Sequence, residues 1–492
     1  MKRALVIGAG AGGLAAAIDL ARRGFEVIVL ERAPAPGGKI RQVEVLGQGL
    51  DCGPTVFTMR WVFEELFAAA GARLEDYLHL IPAELLARHA WRAGGVLDLY
   101  ADLERSAEAI AAFAGPADAR AYRAFCAESA AVFAFMKQRF ITAQRPSHLE
   151  VARRVGLAHL GEFFARARPL TSLWAELGRR FRDPRLRQLF ARYATYVGSS
   201  PLATPAAIML VAHVEQEGVW LAHGGMQALA AALAKLGAKL GVEYRYGAGV
   251  GEILVEQGRA AGVALESGER LAAEVILFNG DVSAFGAGLL GQAAQGAAKP
   301  IRRRERSLGA VTWALGARTR GLELAYHTVF FAEDYPREFQ DAFGRRRITE
   351  WPTVYACAPD RAGVSPPQGP ERLFLLANAP ADGDLAAMSA GERASLQGRV
   401  FGLLEACGLS LELAGEPIIA TPSEFHARFP ASGGALYGRH SHGPNGTLAR
   451  LGARSRLPGL YLCGGGVHPG PGVPMAAMSG RLAAATAAAD AG

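Results

Sequence analysis

The N-terminal segment is the part of this chain that most constrains its fold. Residues 4–32 read ALVIGAGAGGLAAAIDLARRGFEVIVLER. This pattern predicts a short buried strand over 4–7, an alanine-rich helix over 14–23 that Gly24 ends, and a β-branched second strand over 27–30. A strand, a helix and a second strand in close succession favour a Rossmann-like α/β unit.

Three glycines between the first strand and the helix point to a nucleotide ligand. Gly8, Gly10 and Gly13 have the G-x-G-x-x-G spacing, which permits a tight turn, close approach of a pyrophosphate, and close packing of helix on strand. The helix N-terminus would offer unpaired N–H groups to the phosphates. Glu31 ends the second strand and is placed to accept hydrogen bonds from ribose hydroxyls. A glycine-rich turn without a ligand leaves Glu31 unexplained, so the sequence predicts dinucleotide binding.

Composition and charge narrow the class of protein. The 492 residues are 50% hydrophobic and 20% charged, a globular composition with room for at least two domains. The net charge of +7 favours an anionic membrane surface over nucleic acid, although ordinary solvated arginines are the simpler explanation. Five cysteines without metal-ligand spacing predict neither disulfides nor a metal site and fit a reducing compartment. The sequence contains no apolar run long enough to span a bilayer, so we expect no membrane-spanning helix.

The residues after the second strand distinguish between NAD and FAD. A GGK element occupies 37–39, and DCGPT occupies 51–55. This succession resembles the FAD flavoproteins of the amine oxidase and phytoene desaturase superfamily. The resemblance implies FAD as the cofactor, with Lys39 near the pyrophosphate and with Thr55 and Val56 beside the flavin.

The C-terminal stretch LYLCGGGVHPGPGVPMAAMSG, residues 460–480, combines a strand, a glycine turn and the start of a helix near Pro474. Proline suits the first helical position because its missing N–H would be unpaired there. The positive end of such a helix would stabilise negative charge on a reduced flavin. Glycines in the turn would let the backbone contact a planar ring.

This stretch resembles the C-terminal signature of bacterial carotenoid desaturases of the phytoene desaturase type. Three further motifs resemble the branch that acts on hydroxylated acyclic carotenoids, the hydroxyneurosporene (1-hydroxycarotenoid 3,4-) desaturases. They are VYACAPDRAG at 354–363, GPERLFLLANAPADGD at 369–384 and FPASGGALYGRHSHG at 429–443. Cys463, Pro471 and the lack of an aromatic residue in SHGPNG depart from the pattern.

The resemblance also implies which residues hold the cofactor. The backbone of Val250 would meet the adenine, Asn279 would end a strand that faces the cofactor, and Leu436 would join the FAD contacts. The predicted cofactor-binding residues are Gly8, Gly10, Gly12, Gly13, Glu31, Lys39, Thr55, Val56, Val250, Asn279, Leu436, Gly465, Gly472 and Met475. No catalytic residue is predicted.

The predicted fold class is α/β. We expect a discontinuous Rossmann-like FAD-binding domain over 1–60, 222–300 and 430–492. An inserted helical region over 61–221 would bind substrate and associate with the membrane, and a mainly antiparallel sheet over 301–429 would complete the substrate domain.

A basic amphipathic segment lies within the helical region. Leu186, Leu189 and Phe190 recur at helical spacing with arginines such as Arg187 and Arg192 on other faces. Such a helix can lie in a membrane interface or pack against the protein's own core, and the sequence leaves both open.

Desaturation removes a hydride from an allylic carbon and a proton from its neighbour. We find no dedicated base in the sequence, and His468 is expected to fix the C-terminal turn through hydrogen bonds. A substrate hydroxyl in an apolar tunnel needs a polar partner, because burying it unpaired costs about 1–3 kcal/mol. Tyr437 and His440 are candidates for that partner.

The sequence therefore predicts FAD-dependent desaturation of an acyclic 1-hydroxycarotenoid at C3–C4. The alternatives are desaturation of unhydroxylated phytoene or neurosporene, an amine oxidase, and a non-catalytic lipid-binding relative such as the Rab GDP-dissociation inhibitors. No aromatic cage motif supports an amine oxidase, and the retained flavin motifs oppose a non-catalytic role. We expect a cytoplasmic protein bound peripherally to the inner membrane, with no nucleic acid partner. The exact carotenoid, the electron acceptor and the oligomeric state are left open.

Overall fold

The computed structural model describes residues 2–147, 150, 161, 168–362, 367–446 and 448–492. Part of the predicted helical region and the last residue of the 354–363 motif lie outside the described residues. The α-helices are α1 (Ala11–Ala21), α2 (Arg60–Ala69), α3 (Leu103–Ala114), α4 (Pro116–Met136), α5 (Leu173–Arg180), α6 (Pro184–Ala191), α7 (Leu210–Glu217), α8 (Met226–Lys239), α9 (Ser283–Gly286), α10 (Tyr335–Phe339), α11 (Ala390–Ala406), α12 (Pro422–Arg428) and α13 (Val473–Ala491).

The strands follow the same chain order. They are β1 (Arg3–Ile7), β2 (Glu26–Glu31), β3 (Gln42–Val45), β4 (Gln48–Asp51), β5 (Leu80–Pro82), β6 (Leu85–Trp91), β7 (Val96–Tyr100), β8 (Trp220–Ala222), β9 (Glu243–Tyr246), β10 (Val250–Glu256), β11 (Arg259–Leu265), β12 (Arg270–Ala272), β13 (Val275–Phe278), β14 (Gly309–Gly321), β15 (His327–Phe331), β16 (Val354–Cys357), β17 (Glu371–Ala379), β18 (Leu409–Leu413), β19 (Ile418–Ala420) and β20 (Leu460–Leu462).

A parallel sheet with the order β20-β13-β1-β2-β9 brings together the two ends of the chain. Val6 of β1 lies between Val29 of β2 and Leu277 of β13 in parallel register. These strands are apolar because both faces of the sheet are covered: α1, α8 and α13 pack on one face, and the antiparallel sheet β10-β11-β12 packs on the other. The predicted Rossmann-like fold is therefore confirmed, including the C-terminal strand β20 and the helix that begins beside Pro474.

Helix α1 lies unusually close to the C-terminal helix α13. A Cβ atom added to Gly480 would lie 2.0 Å from the Gly12 carbonyl oxygen. A Cβ on Gly12 would lie 2.9 Å from both the Ala476 carbonyl oxygen and the Gly464 Cα. Only glycine permits this approach, which fixes the C-terminal glycine turn beside the N-terminal glycine loop.

The second large sheet has the order β18-β14-β17-β16-β15-β6-β7, with β19 paired to β14. Its pairs are antiparallel except for β15 with β6. One face packs on α11 through Phe330, Leu396 and Val400. On the opposite face, Val329 and Phe331 pack against the helical part of the chain. This sheet is the predicted substrate-domain sheet.

Strands β5 to β7 lie in a segment for which the sequence predicts helices. Thr328 and Phe330 of β15 pair in parallel with Arg88 and Ala90 of β6. Leucine and alanine in this segment have no strong strand preference, and pairing with a distant strand decides their conformation. Strands β6 and β7, which lie within the predicted helical region 61–221, thus belong to the substrate-domain sheet. The domain boundaries of that region remain a prediction.

The basic segment around α6 packs on the protein's own core. Leu186 and Phe190 are fully buried, and Leu189 and Tyr193 are nearly so. These side chains contact buried residues of α4 such as Phe125. The apolar face of α6 is thus already covered by protein.

Candidate functional site

The glycine loop after β1 has the geometry of a phosphate-binding turn. Gly8 adopts a positive φ of 99°, and its N–H donates to the Leu30 carbonyl over 2.8 Å. A Cβ on Gly13 would lie 2.0 Å from the Gly8 carbonyl oxygen, so this position requires glycine. Gly10 is the N-cap of α1 and provides no side-chain cap. Among the described residues, the N–H groups of Ala11 and Gly12 in the first turn have no partner and can donate to a ligand.

Glu31 holds this loop from the end of β2. Its carboxylate accepts hydrogen bonds from the N–H groups of Ala9 at 2.7 Å and Ala33 at 2.8 Å. Each oxygen keeps a second lone pair that a ribose hydroxyl could use. The Glu31 carbonyl also accepts a hydrogen bond from the Ala248 N–H at 2.9 Å, which brings the start of β10 at Val250 to the same edge of the sheet.

Asn279 lies directly after β13 and fills the space between the two glycine segments. Its N–H donates to the Ile7 carbonyl at 2.9 Å. In the orientation that satisfies its side chain, the amide oxygen accepts from the Gly10 and Gly13 N–H groups at 3.2 Å each. Asn279 therefore faces the predicted nucleotide loop, as the resemblance implies.

Lys39 connects the GGK element to the segment before the C-terminal turn. Its ammonium donates to the Leu436 carbonyl at 2.6 Å. Burial lowers the pKa of Lys39, and the nearby Arg450 lowers it further while Asp281 opposes the shift. A lysine desolvated in this way gains from an anionic ligand such as a pyrophosphate.

The C-terminal turn ends at the N-terminus of α13. Gly472 is the N-cap of this helix with a φ of 109°, and no side chain caps it. Met475 lies in the first turn and is half-buried. Within 4 Å of a Cβ built on Gly465, the described residues beyond its chain neighbours place a single atom, the Pro471 Cα at 3.7 Å. The turn therefore leaves open backbone next to a positive helix end, which suits a planar group that carries negative charge.

Thr55 and Val56 follow β4 and approach the substrate-domain sheet. The Thr55 hydroxyl lies 2.6 Å from the Tyr355 hydroxyl of β16. Val56 is half-buried beside it. The predicted flavin-flanking residues thus lie where the parallel sheet meets the substrate domain.

The donor set fits a flavin nucleotide. Two uncapped helix N-termini, a carboxylate with free lone pairs and a desolvated lysine are distributed from the glycine loop to the C-terminal turn. An elongated ligand with a central pyrophosphate matches this distribution of groups.

Comparison with protein families agrees with this geometry. Residues 11–488 match the model of the flavin containing amine oxidoreductases. The chain belongs to this family. Its cofactor is FAD, and the predicted flavoprotein oxidoreductase class is confirmed.

Three curated relatives in this family are similar over almost the whole chain. A hydroxyneurosporene desaturase of Rubrivivax gelatinosus is 48% identical, with 98% of this chain and 93% of the relative covered. A hydroxyneurosporene desaturase of Cereibacter sphaeroides is 44% identical, with 99% and 98% covered. A 1-hydroxycarotenoid 3,4-desaturase of a Flavobacterium species is 29% identical, with 98% of each chain covered.

Sequence reasoning missed a buried arginine that organises the flavoprotein's C-terminal turn. Arg450 is only 2% exposed. Its Nη1 donates to the carbonyls of Tyr437 at 2.9 Å and Gly465 at 3.2 Å, and its Nη2 donates to the Arg439 carbonyl at 2.5 Å. Burial, with Arg439 acting in the same direction, lowers the pKa of Arg450 to about 10. Its sequence context contains no motif that distinguishes it from a surface arginine.

The histidines singled out from the sequence have structural contacts. His468 Nε2 lies 2.9 Å from the carbonyl oxygens of both Phe140 and Ala143, and so joins the C-terminal turn to the segment after α4. His440 stacks on His442 with ring centroids 3.9 Å apart, and its Nε2 lies 3.2 Å from the Arg304 carbonyl. These contacts give His468 the turn-fixing role expected of it.

A second missed group lies next to Thr55. The Tyr355 hydroxyl is 2.6 Å from Thr55 Oγ1 and 2.6 Å from His327 Nδ1. Burial, with the charge of Arg192 as a smaller cause, lowers the pKa of His327 to about 3, so the imidazole is neutral. The Arg192 guanidinium lies 5.3 Å from the Tyr355 ring centroid. These residues come from separate segments, and no single motif could have joined them.

Proposed function

We propose that this chain is an FAD-dependent desaturase that introduces the C3–C4 double bond into an acyclic 1-hydroxycarotenoid of the hydroxyneurosporene type. The proposal depends on one observation: 48% identity to a hydroxyneurosporene desaturase over 98% of this chain. The motifs at 354–363, 369–384 and 429–443 support the same branch.

An apolar region lies next to the residues that are predicted to flank the flavin. Val329, Phe331 and Phe190 belong to one apolar cluster between the substrate-domain sheet and the helices. A substrate site against this region would keep water away from the reacting carbons and would hold an extended polyene by contact area. Thr55 and Tyr355 lie at the edge of this cluster, where the FAD domain begins.

The chemistry needs orientation more than a strong base. FAD, when bound, supplies the acceptor for the hydride that leaves the substrate. Conjugation with the polyene stabilises the developing positive charge and makes the neighbouring C–H acidic, so a water molecule suffices to take the proton. The protein's main contribution is then to position the two carbons in a dry site, an effect that is worth orders of magnitude in rate.

We also propose that the protein binds peripherally to the cytoplasmic face of the inner membrane, where its apolar substrate resides. Among the described residues, no helix is long and apolar enough to cross a bilayer. The net charge of +7 favours anionic lipid, and Leu170 exposes 83% of its surface.

The test is conversion by purified protein reconstituted with FAD and liposomes. 1-Hydroxyneurosporene and unhydroxylated neurosporene are supplied separately, and the products are separated by HPLC with absorbance detection. We expect a product with a longer chromophore from the hydroxylated carotenoid. Product from neurosporene alone would assign the protein to the desaturases of unhydroxylated carotenoids. Absence of any product, with FAD bound and a quinone added as acceptor, would contradict desaturation.

A further inference from the structure

Arg192 is a half-buried arginine whose charge no ion pair within the described residues neutralises directly. It follows α6 and begins a short 3-10 turn, Arg192–Val197. The next residue of this turn, Tyr193, is 5% exposed. The Arg192 Nη1 donates to the Tyr196 hydroxyl at 3.0 Å. Across the described part of the chain, no carboxylate lies within 4.0 Å of this guanidinium. The charge is therefore compensated only at a distance.

The compensating carboxylate is Glu215 of α7. It accepts hydrogen bonds from the hydroxyls of Tyr193 at 2.9 Å and Tyr196 at 2.8 Å. Tyr196 thus lies between the guanidinium and the carboxylate. Burial raises the pKa of Glu215, while both tyrosines and Arg192 oppose that shift. This arrangement holds Arg192 in place from one side only.

The other side of the guanidinium has unused donors. Among the described residues, the bond to Tyr196 is the single hydrogen bond that the Arg192 side chain makes. Its Nε and Nη2 have no partner and are not sealed by surrounding protein atoms. An arginine always carries its proton, so these two N–H groups remain donors at every physiological pH.

The free donors lie close to the predicted reaction site. The guanidinium is 5.3 Å from the Tyr355 ring centroid, and the Tyr355 hydroxyl is 2.6 Å from Thr55 Oγ1. In a 1-hydroxycarotenoid the hydroxyl oxygen is bonded to C1, so C1 and C2 separate it from C3. Bond lengths of about 1.5 Å place it within roughly 5 Å of C4. A group that recognises this hydroxyl must therefore lie beside the flavin, and Tyr355 and Arg192 lie next to Thr55, which is predicted to flank the flavin.

We propose that Arg192 binds the C1 hydroxyl of the substrate, with its Nε and Nη2 groups donating to the hydroxyl oxygen and Tyr355 supporting the guanidinium through its ring. This inference rests on the proposed function and names the residue that gives it specificity. Tyr437, which the sequence suggested for this task, has its ring against Gly198 and is a neighbour of this group.

The proposal explains how the enzyme would reject a carotenoid without the hydroxyl. A hydrocarbon end group in this position would cover the two donors and remove them from water without replacing their hydrogen bonds. Sites built to hydrogen-bond a substrate hydroxyl discriminate strongly against analogues that lack it, because the protein's own polar groups are left unpaired. We expect preference for the hydroxylated carotenoid to depend mainly on Arg192.

The test compares kcat/KM for 1-hydroxyneurosporene and neurosporene in the wild-type protein and four variants with equal FAD content. In Arg192→Leu, we expect the preference for the hydroxylated substrate to fall about 10-fold to 100-fold, mainly through loss on that substrate. Arg192→Lys keeps the charge and one donor, and should recover part of the preference.

Arg187→Leu is the matched control. Arg187 lies in α6, five residues earlier, and its Nε donates to the Trp174 carbonyl at 3.0 Å. Its guanidinium lies 3.8 Å from the Trp174 ring centroid rather than near Tyr355. The preference should be unchanged in this variant, which separates recognition by Arg192 from a general effect of removing an arginine near α6.

Two outcomes would overturn the inference. An equal loss of kcat on both substrates in Arg192→Leu would mean that Arg192 supports the chemistry or the fold and not recognition. Loss of preference in Tyr355→Phe, which keeps the ring, with preference retained in Arg192→Leu would assign the hydroxyl to Tyr355. The wild-type protein separates this test from the proposed function, because failure of wild-type protein on the hydroxylated carotenoid contradicts the function itself.

Discussion

The Lys39 ammonium donates a hydrogen bond of 2.6 Å to the Leu436 carbonyl, and this bond joins segments that are 397 residues apart. The lysine belongs to the GGK element after β2, and the leucine belongs to the segment that leads to the C-terminal turn. Both parts of the predicted FAD site therefore depend on one desolvated cation.

Replacing this cation should weaken FAD binding. In Lys39→Met, the Leu436 carbonyl loses its donor and the predicted pyrophosphate loses a positive charge, so we expect the Kd for FAD to rise about 10-fold or more. Titration of the apoprotein with FAD, followed by flavin fluorescence, measures this directly. Lys235→Met on α8, whose ammonium lies 5.6 Å from the Tyr77 ring, is the control. An unchanged Kd would limit Lys39 to a structural role.

The contact between α1 and α13 should tolerate no side chain at Gly480. A Cβ there would lie 2.0 Å from the Gly12 carbonyl oxygen and 3.0 Å from the Ala16 nitrogen, and both are backbone atoms. We expect Gly480→Ala to push the two helices apart and to lower both the thermal midpoint and the FAD content of the purified protein. The cost should reach about 3 kcal/mol, as in other overpacked cores.

The control for this prediction is an exposed helical glycine. Gly398 of α11 has open space around a built Cβ. Gly398→Ala should stabilise the protein by about 0.5–1 kcal/mol, because alanine loses less backbone entropy in a helix. If Gly480→Ala behaved like Gly398→Ala, the close approach of the two helices would be wrong.

The sequence predicts the FAD-binding part of this fold well because its constraints are local. Gly8 adopts a positive φ, and a side chain at Gly13 would clash with the Gly8 carbonyl oxygen. Both constraints act between residues that are close in sequence. Glu31 and Pro474 likewise have positions that strand and helix ends dictate. Such residues can be recognised one motif at a time.

The substrate side could not be predicted in the same way. The helical spacing predicts Arg192 on a different face of the basic helix from Leu186 and Phe190, but α6 ends at Ala191, and the chain tightens into a 3-10 turn that begins at Arg192. Periodicity cannot show such a change of direction. Arg450 poses the same difficulty, because its partners are the carbonyls of residues 437, 439 and 465. Carbonyl oxygens carry no residue-specific signal in a sequence.

Buried neutral histidines should make the protein labile to mild acid. Burial, and to a smaller degree Arg192, lower the pKa of His89 to about 3, whereas an unfolded histidine has a pKa of about 6.5. The unfolded state therefore binds the proton more tightly, and stability is lost as the pH falls from about 6.5 toward about 3. For His89 alone the loss between pH 7.5 and pH 5.0 should be about 2 kcal/mol.

Urea unfolding of His89→Gln at these two pH values tests this linkage. The variant should lose less stability than the wild-type protein on going to pH 5.0, by about 2 kcal/mol. His223→Gln is the control, because His223 is exposed. Equal pH dependence in His89→Gln and the wild-type protein would show that His89 is not held neutral in the folded state.

Membrane association should depend on anionic lipid and on Leu170. Attraction between a protein of net charge +7 and an anionic surface is screened by salt over about 8–10 Å, so binding to phosphatidylglycerol vesicles should fall as salt rises from 50 to about 500 mM. Phosphatidylcholine vesicles should bind less protein at every salt concentration. Cosedimentation measures the bound fraction in each case.

Leu170 offers an apolar side chain that is 83% exposed, whereas Leu289 is 45% exposed. If Leu170 inserts between lipids, Leu170→Glu should weaken binding several-fold, because burying a leucine side chain contributes about 1.5–3 kcal/mol and a carboxylate is repelled by the anionic surface. Leu289→Glu introduces the same charge and serves as the control. An equal decrease in both variants would reflect net charge alone, and no decrease in either, with salt-independent binding, would contradict the peripheral association that we propose.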